Sequence, residues 1–289
     1  MYKGPLRFAH RGLTQQAPEN TLEAFEAAVS YGCEGIEIDV QLTKDHQAVI
    51  FHDYNLTRMT LGCAERSSNE RICEMTWEEL SCVQIPFANH LLPEHPPAGA
   101  ENEFLAGMPE RIMGQEKGRD YAAQLKEDPR TARILRFEDF DRWLAEKSED
   151  ILVEIEIKAS GAAQVLARLM ESSRNLERYI VFSGNDAYIR EIQRDITPAL
   201  KARGLRCGAN IRRLTEQARQ QVLEMDLFEI GLDAGAFTAQ DVAWLKEQGV
   251  EVLSNLGDYP RWWETLQQTG ALGFKSNYVG AYSEWYAGR

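Results

Sequence analysis

Gly35-Ile36-Glu37-Ile38-Asp39-Val40 and, much later in the chain, Val153-Glu154-Ile155-Glu156-Ile157-Lys158 both alternate apolar and ionisable residues with a period of two. Successive side chains of a β-strand point to opposite faces. One face of the first segment is therefore Ile36, Ile38 and Val40, and the other is Glu37 and Asp39. The second segment separates Val153, Ile155 and Ile157 from Glu154, Glu156 and Lys158. A barrel strand packs its outward face under helices, and its inward face fills the core or opens at the mouth. The apolar faces belong under helices, so the charged faces point inward, toward the mouth. A solvated polar face on an edge strand is the plainer reading of either segment alone. Two such segments, together with two strand-terminal histidines, argue against it. Four carboxylates against one lysine leave excess negative charge in a confined space, which a hard divalent cation, Mg²⁺ or Ca²⁺, would relieve.

Outward from these segments, short β-like runs alternate with helical ones. The strand candidates are Leu6–His10, Gly35–Leu42, Ala48–His52, Ile151–Ile157, Tyr179–Ser183, Arg206–Ile211, Leu227–Leu232, Val250–Ser254 and Leu272–Lys275. Helical patterns fall at Thr21–Tyr31, Phe137–Glu146, Ala162–Ser172, Ala187–Arg194, Thr215–Glu224, Thr238–Gln248 and Arg261–Gln268. Asn20 or Thr21 can cap the first helix, and Gly32 follows its end. This alternation predicts a parallel sheet covered by helices. The fold class expected is α/β, a TIM-type (β/α)₈ barrel forming one domain over residues 1–289.

Nine strand candidates are one too many for eight strands. Leu227–Leu232 is the first suspect for an accessory role. The link from Gly35–Leu42 to Ala48–His52 is too short for a crossover helix and reads as an antiparallel hairpin turning at Asp45-His46. Pairing residues whose numbers sum to 91 would set Asp39 opposite His52. Residues 57–133 break the alternation, with Pro93, Pro96, Pro97 and Gly99 in a loop-like middle and a short helix over Met75–Val83. This stretch reads as an insertion after the third strand segment, a loop or lid over the barrel.

The formal net charge of −13 argues against non-specific nucleic-acid binding and against an electrostatic membrane anchor. No apolar run approaches membrane-spanning length, and Met1–Arg7 has no signal-peptide core. Five cysteines (Cys33, Cys63, Cys73, Cys82, Cys207) form no Cys-x-x-Cys pair and read as free thiols of a cytoplasmic protein. Their spacing with His90 or His95 fits no common zinc pattern.

His10, Arg11 and Gly12 directly follow the first strand, and His52 and Asp53 end the third. A histidine at a barrel mouth can exchange protons near neutral pH. Arginine offers a planar fork to phosphate oxygens, and glycine lets backbone approach a ligand. The competing reading makes Arg11 a salt-bridge partner of a carboxylate such as Glu37, His10 a core histidine and His52 a partner of Asp39. His46, His90 and His95 lie in turn or loop contexts and are expected in solvent.

In order and spacing, these residues resemble the glycerophosphodiester phosphodiesterases. The pattern is His10-Arg11-Gly12, Pro18-Glu19-Asn20-Thr21, Glu37-x-Asp39-Val40, Thr43-Lys44-Asp45 and His52-Asp53 followed by Leu56-Thr57-Arg58-x-Thr60. Glu156-Ile157-Lys158 matches a later Glu-x-Lys strand of the family. The resemblance implies a TIM-type barrel that hydrolyses small glycerophosphodiesters to sn-glycerol 3-phosphate and an alcohol. It implies Glu37, Asp39 and Glu156 as ligands of one divalent cation, His10 and His52 as general base and acid, and Arg11 and Lys158 on the phosphate. His10 is preferred as base and His52 as acid. The attacking hydroxyl is either water or the glycerol 2-hydroxyl. A homodimer is compatible with it.

Near the C-terminus the chain departs from the family. The usual Trp-Thr-Val-Asn reads Asn255-Leu256-Gly257-Asp258, and the usual Thr-Asp reads Ser276-Asn277. Trp262, Trp263, Tyr278, Tyr282, Trp285 and Tyr286 lie nearby and either replace pocket surface or pack in the core. A phospholipase-like phosphodiesterase and a non-catalytic phosphodiester-binding relative are the alternatives.

Overall fold

The computed structural model describes residues 3–60, 69–88, 90–99, 108–109, 127–148 and 150–289. Cys63 and much of the expected lid therefore lie outside the described residues. In chain order the strands are β1 (Leu6–His10), β2 (Gly35–Leu42), β3 (Ala48–Ile50), β4 (Gln84–Pro86), β5 (Thr131–Arg133), β6 (Leu135–Arg136), β7 (Leu152–Ile157), β8 (Tyr179–Phe182), β9 (Arg206–Arg212), β10 (Glu229–Asp233), β11 (Glu251–Asn255) and β12 (Gly273–Ser276). The helices are α1 (Leu22–Tyr31), α2 (Trp77–Ser81), α3 (Phe137–Ala145), α4 (Ala162–Met170), α5 (Asp186–Asp195), α6 (Pro198–Ala202), α7 (Glu216–Glu224), α8 (Ala239–Glu247), α9 (Pro260–Thr269) and α10 (Val279–Ala287).

Strands β1, β2, β7, β8, β9, β10, β11 and β12 pair in parallel in that order, and β12 returns to β1. This closed ring of eight, with helices between its strands, is the expected barrel. The strand in excess is Ala48–Ile50, not Leu227–Leu232, because Glu229–Asp233 pairs with β9 and β11 inside the ring. The reason lies in β1, which is short and pairs with β2 only at Gly35–Glu37. The upper edge of β2 is left open, and β3 covers it at Val40–Leu42 in antiparallel sense.

The hairpin register is also corrected. Val40 pairs with Ile50 and Leu42 with Ala48, so the numbers sum to 90. The turn is one residue longer than a two-residue loop, with His46 left-handed at φ 59° between the paired Thr43 and Gln47. This register puts Ala48 and Ile50 on the same buried face as Ile38 and Val40 and turns Val49 into a second buried cluster; a slip of one would exchange the two faces. Asp39 consequently faces Phe51, and His52 follows the end of the ladder.

The outward faces behave as the alternation requires. Ile36, Ile38, Val40, Val153, Ile155 and Ile157 pack with Phe25, Phe140 and Leu166 of the surrounding helices. Beyond β3, the insertion builds a small core of its own from Val49, Phe51, Leu56, Met59, Ile72, Leu80 and Ile85. Its short helix α2 starts on a Thr76–Glu79 capping box, as the Met75–Val83 pattern suggested. Trp263, Tyr278 and Tyr282 sit in the core, with Trp263 and Tyr282 edge to face at 5.6 Å, so they are packing residues. Cys33 and Cys207 are buried free thiols, and Cys73 and Cys82 are exposed ones.

Candidate active site

Parallel strands put all their C-terminal ends on one rim, where the loops carry side chains inward. His10 ends β1, and Arg11 and Gly12 turn the chain sharply with φ of 59° and 90°. The turn closes through Arg11 N donating to Glu37 O at 3.0 Å and to Glu37 Oε2 at 3.2 Å. A side chain at Gly12 would lie 2.7 Å from Ala24 Cβ, so the first turn of α1 can press against the loop only because position 12 is glycine. Thr21 caps α1 by accepting from Ala24 N. Asn20 instead donates from Nδ2 to Asp39 Oδ2 at 2.8 Å.

Asp39 and Glu156 are register partners on adjacent strands, and Glu37 lies one pleat below. One oxygen from each of the three lies within 4.8 Å of the others, an arrangement that could hold a metal ion. Glu37 and Asp39 are fully buried. Glu37 Oε1 and Asp39 Oδ1 have no hydrogen-bond partner, although Lys158 Nζ stands 3.3 Å from the latter. Buried carboxylate oxygens without donors are costly unless something positive meets them. All-oxygen donors suit a hard cation of the Mg²⁺ or Ca²⁺ class.

Burial, with Asp39 and Glu156 close by, pushes the Glu37 carboxyl well above the usual carboxylate range. Asp39 goes the other way: burial opposes its charge, but Lys158, His52 and Arg11 outweigh burial and hold its pKa low. Lys158 pairs with Glu156 at 2.9 Å and is held charged by Asp39 and Glu156 against its own burial. Arg11, 1% exposed, is engaged by Glu19 at 2.9 Å and Asp39 at 3.3 Å. Its carboxylate partners are therefore these two side chains, while Glu37 meets its backbone.

The two histidines face different partners. His10 Nδ1 lies 2.7 Å from Asn277 Oδ1. Asn277 donates to Asp258 from Nδ2 and from its backbone N, both at 2.8 Å, and Ser276 Oγ donates to the same carboxylate. A carboxylate only accepts, so the Asn277 amide must turn its Nδ2 to Asp258 and its oxygen to His10. His10 Nδ1 then carries the proton, and Nε2 lies 3.8 Å from Glu37 Oε2, on the side of the carboxylate cluster. His52 Nδ1 instead meets Asp53 Oδ1 at 2.7 Å. Arg58 clamps Asp53 from Nε at 2.7 Å and reaches Glu19 at 2.8 Å, which closes a chain from His52 to Arg11. These bonds pull the Asp53 carboxyl down to about 2 against its partial burial. His52 thus pairs with Asp53, not with Asp39.

Six of the seven expected site residues, His10, Arg11, Glu37, His52, Glu156 and Lys158, line one cavity of about 310 Å³. Asp39 stands behind them, tied to Arg11 and Lys158. Glu154 is not at the mouth: it is buried deeper and paired with Lys275 at 2.8 Å, beside Glu229. His90 is not in solvent either. It is 1% exposed, and burial lowers its pKa to about 4. Sequence reasoning gave no role to Glu19, Arg58, Asp258 or Lys275. Glu19 and Arg58 stand inside quoted motifs, and Asp258 ends the stretch where the chain departs from the resembled pattern, which was the available signal; Lys275 carried none.

Comparison with known proteins follows the same lines. A glycerophosphodiester phosphodiesterase of Bacillus altitudinis is 40% identical over 92 residues, 29% of this chain and 38% of the relative. One from Caldanaerobacter subterraneus is 51% identical over 57 residues, 20% of this chain and 24% of the relative. The matches thus span less than two fifths of either curated relative. Among solved structures, an Oleispira antarctica phosphodiesterase in complex with the product sn-glycerol-3-phosphate superposes with a TM-score of 0.68 at 19% identity, over 98% of this chain and 97% of that one. A Thermotoga maritima glycerophosphodiester phosphodiesterase gives 0.67 at 18% identity, over 99% and 100%. At such identities the likeness establishes the barrel alone. The sequence profile of the glycerophosphoryl diester phosphodiesterase family, however, matches residues 10–207, from the first mouth histidine to the start of β9, and the chain belongs to that family.

Proposed function

We propose that the protein hydrolyses glycerophosphodiesters to sn-glycerol 3-phosphate and an alcohol, with one divalent cation, Mg²⁺ or Ca²⁺, held by Glu37, Asp39 and Glu156. The observation that carries this reading is the convergence of those three carboxylates, two of them with orphaned buried oxygens, in a cavity flanked by two histidines with different partners. When bound, the cation supplies Lewis-acid stabilisation of charge on the phosphate oxygens. Arg11 and Lys158 hold the phosphate in place and add positive charge where the transition state becomes more negative.

His10 is the general base. Its Nδ1–H is committed to Asn277, so Nε2 offers the lone pair that takes the proton of the attacking hydroxyl. His52 is the general acid: the Asp53 carboxylate can balance a doubly protonated ring, which an amide cannot. A new P–O bond forms to the attacking oxygen, the P–O bond to the alcohol breaks, and the alkoxide leaves with a proton from His52. The attacking hydroxyl is water, or the glycerol 2-hydroxyl by way of a cyclic phosphate that water then opens.

The test is release of glycerol 3-phosphate by purified protein supplied with Mg²⁺ or Ca²⁺. His10→Ala and Glu37→Gln are each expected to lower kcat by about 10²-fold or more. Full turnover in excess chelator, or in either variant, overturns the scheme.

A further inference from the structure

A second cavity of about 320 Å³ opens beside the first on the same face of the barrel, and Lys158 lines both. Its other walls include Lys44 and His46 from the β2–β3 turn, Tyr54 and Arg71 from the start of the insertion, and Tyr188 from α5. Among the described residues no Asp or Glu lines it. That runs against the composition, since acidic residues outnumber basic ones 45 to 32. Lys44 and Arg71 are exposed, and neither pairs with a carboxylate among the described residues. Two carboxylates on adjoining segments are already engaged. Asp45 accepts from Thr43 Oγ1 at 2.6 Å and Trp77 N at 3.0 Å, and Glu191 accepts from Ser160 Oγ at 2.6 Å and Gly161 N at 2.8 Å.

Cations without internal partners keep their charge for a ligand. A guanidinium offers a fork that fits phosphate, and an ammonium adds a point charge. Tyr54, 63% exposed, and Tyr188 add ring faces against which a carbon skeleton can lie. Position supplies the rest. A phosphodiester carries two alcohol arms, and Lys158, which lines both cavities, puts this groove next to a phosphate bound beside it.

We propose that the groove is a second anion subsite, which takes an alcohol substituent bearing its own phosphate. The proposal rests on the phosphodiesterase reading, because that reading sets the first phosphate beside Lys158. Lys44 and Arg71 are specificity residues in it and touch nothing in the hydrolytic machinery.

Two diesters that differ only by one phosphate, glycerophosphoinositol and glycerophosphoinositol 4-phosphate, test it. Turnover is measured with Mg²⁺ or Ca²⁺, and affinity by calorimetry without added metal. In low salt the phosphorylated diester is expected to be favoured about tenfold in both kcat/KM and Kd, and half-molar salt should shrink that preference because exposed charges are screened. Lys44→Gln with Arg71→Gln should abolish the preference and leave the neutral diester unchanged. Lys44→Glu with Arg71→Glu should invert it. Equal values for the two diesters, no binding of either, or a preference that survives the neutralised pair overturns the subsite. Preferential binding that Lys44→Gln with Arg71→Gln removes, without turnover of either diester, leaves the subsite standing and removes the hydrolytic reading. Turnover without preference does the reverse.

Discussion

The resemblance drawn from the sequence expects Asp and Asn where this chain carries Asn277 and Asp258. Their mutual hydrogen bond is present, but an amide rather than a carboxylate now meets His10. The proton on Nδ1 is thereby fixed by a neutral group, and Asp258, fully buried, holds that group from behind. Asn277→Leu should free the ring and cost about 10- to 100-fold in kcat with little change in KM, the scale typical of partners that orient a reacting group. Asn277→Asp combined with Asp258→Asn returns an acceptor to His10 and should recover most of the loss in steady-state assays. A purely structural role for Asn277 would instead appear as a loss of folded protein, which circular dichroism reads separately. On the other side of the site, Asp53 titrates at about 2, below an ordinary carboxylate. Its pairing therefore stabilises the fold above about pH 4, and that contribution is lost as pH falls toward 2.

At the scale of elements, the β1–α1 connection is the most constrained piece of the site. It carries His10 and Arg11, turns through two left-handed residues, and packs against α1 with no room for a methyl group at position 12. Gly12→Ala is expected to destabilise the protein by about 2–4 kcal/mol, since strain at positive φ adds to a clash with Ala24. Urea unfolding measures the loss, and activity should fall further than the unfolded fraction explains, because His10 and Arg11 move with the loop. The β2–β3 hairpin contributes differently. Gln41 Nε2 donates to the carbonyl oxygens of Phe51, His52 and Asp53, so the strand that carries Glu37 and Asp39 also positions the second histidine.

At the scale of the whole molecule, buried charge continues from the mouth cavity, which Lys275 lines, into the barrel interior. Phe8, Ile180 and Leu253 pack together there, and Glu154, Lys275 and Glu229 are buried with them. Burial and the neighbouring Glu154 push Glu229 well above an ordinary glutamate, even with Lys275 close. A carboxyl with a raised folded pKa favours the fold most below about pH 4.5, and that contribution fades as pH climbs through the folded value. Glu229→Gln should therefore stabilise the protein at pH 7 by about 1 kcal/mol, with the gain vanishing near pH 4. Urea titrations at the two pH values decide it; an equal effect at both would show that Glu229 is ionised throughout.

The sequence by itself determined the alternation of strands and helices and the charged inward faces of two strands, because a two-residue period assigns faces without knowledge of neighbours; the seven site residues were singled out by the family resemblance. The period gathered Glu37, Asp39, Glu154 and Glu156 on inward faces, and it was the resemblance that set Glu154 apart from the other three. The register of the hairpin, the identity of the extra strand and the partners of the two histidines were decided only by the tertiary structure. Those depend on how far β1 extends along β2, on one additional turn residue at His46, and on side chains from Glu19, Arg58, Asp258 and Asn277 that meet across long stretches of chain. Local periodicity carries no information about such lengths and meetings. Packing does, because one ladder register alone sets Ala48 and Ile50 beside Ile38 and Val40 with Val49 in the other cluster, and one amide orientation alone satisfies Asp258.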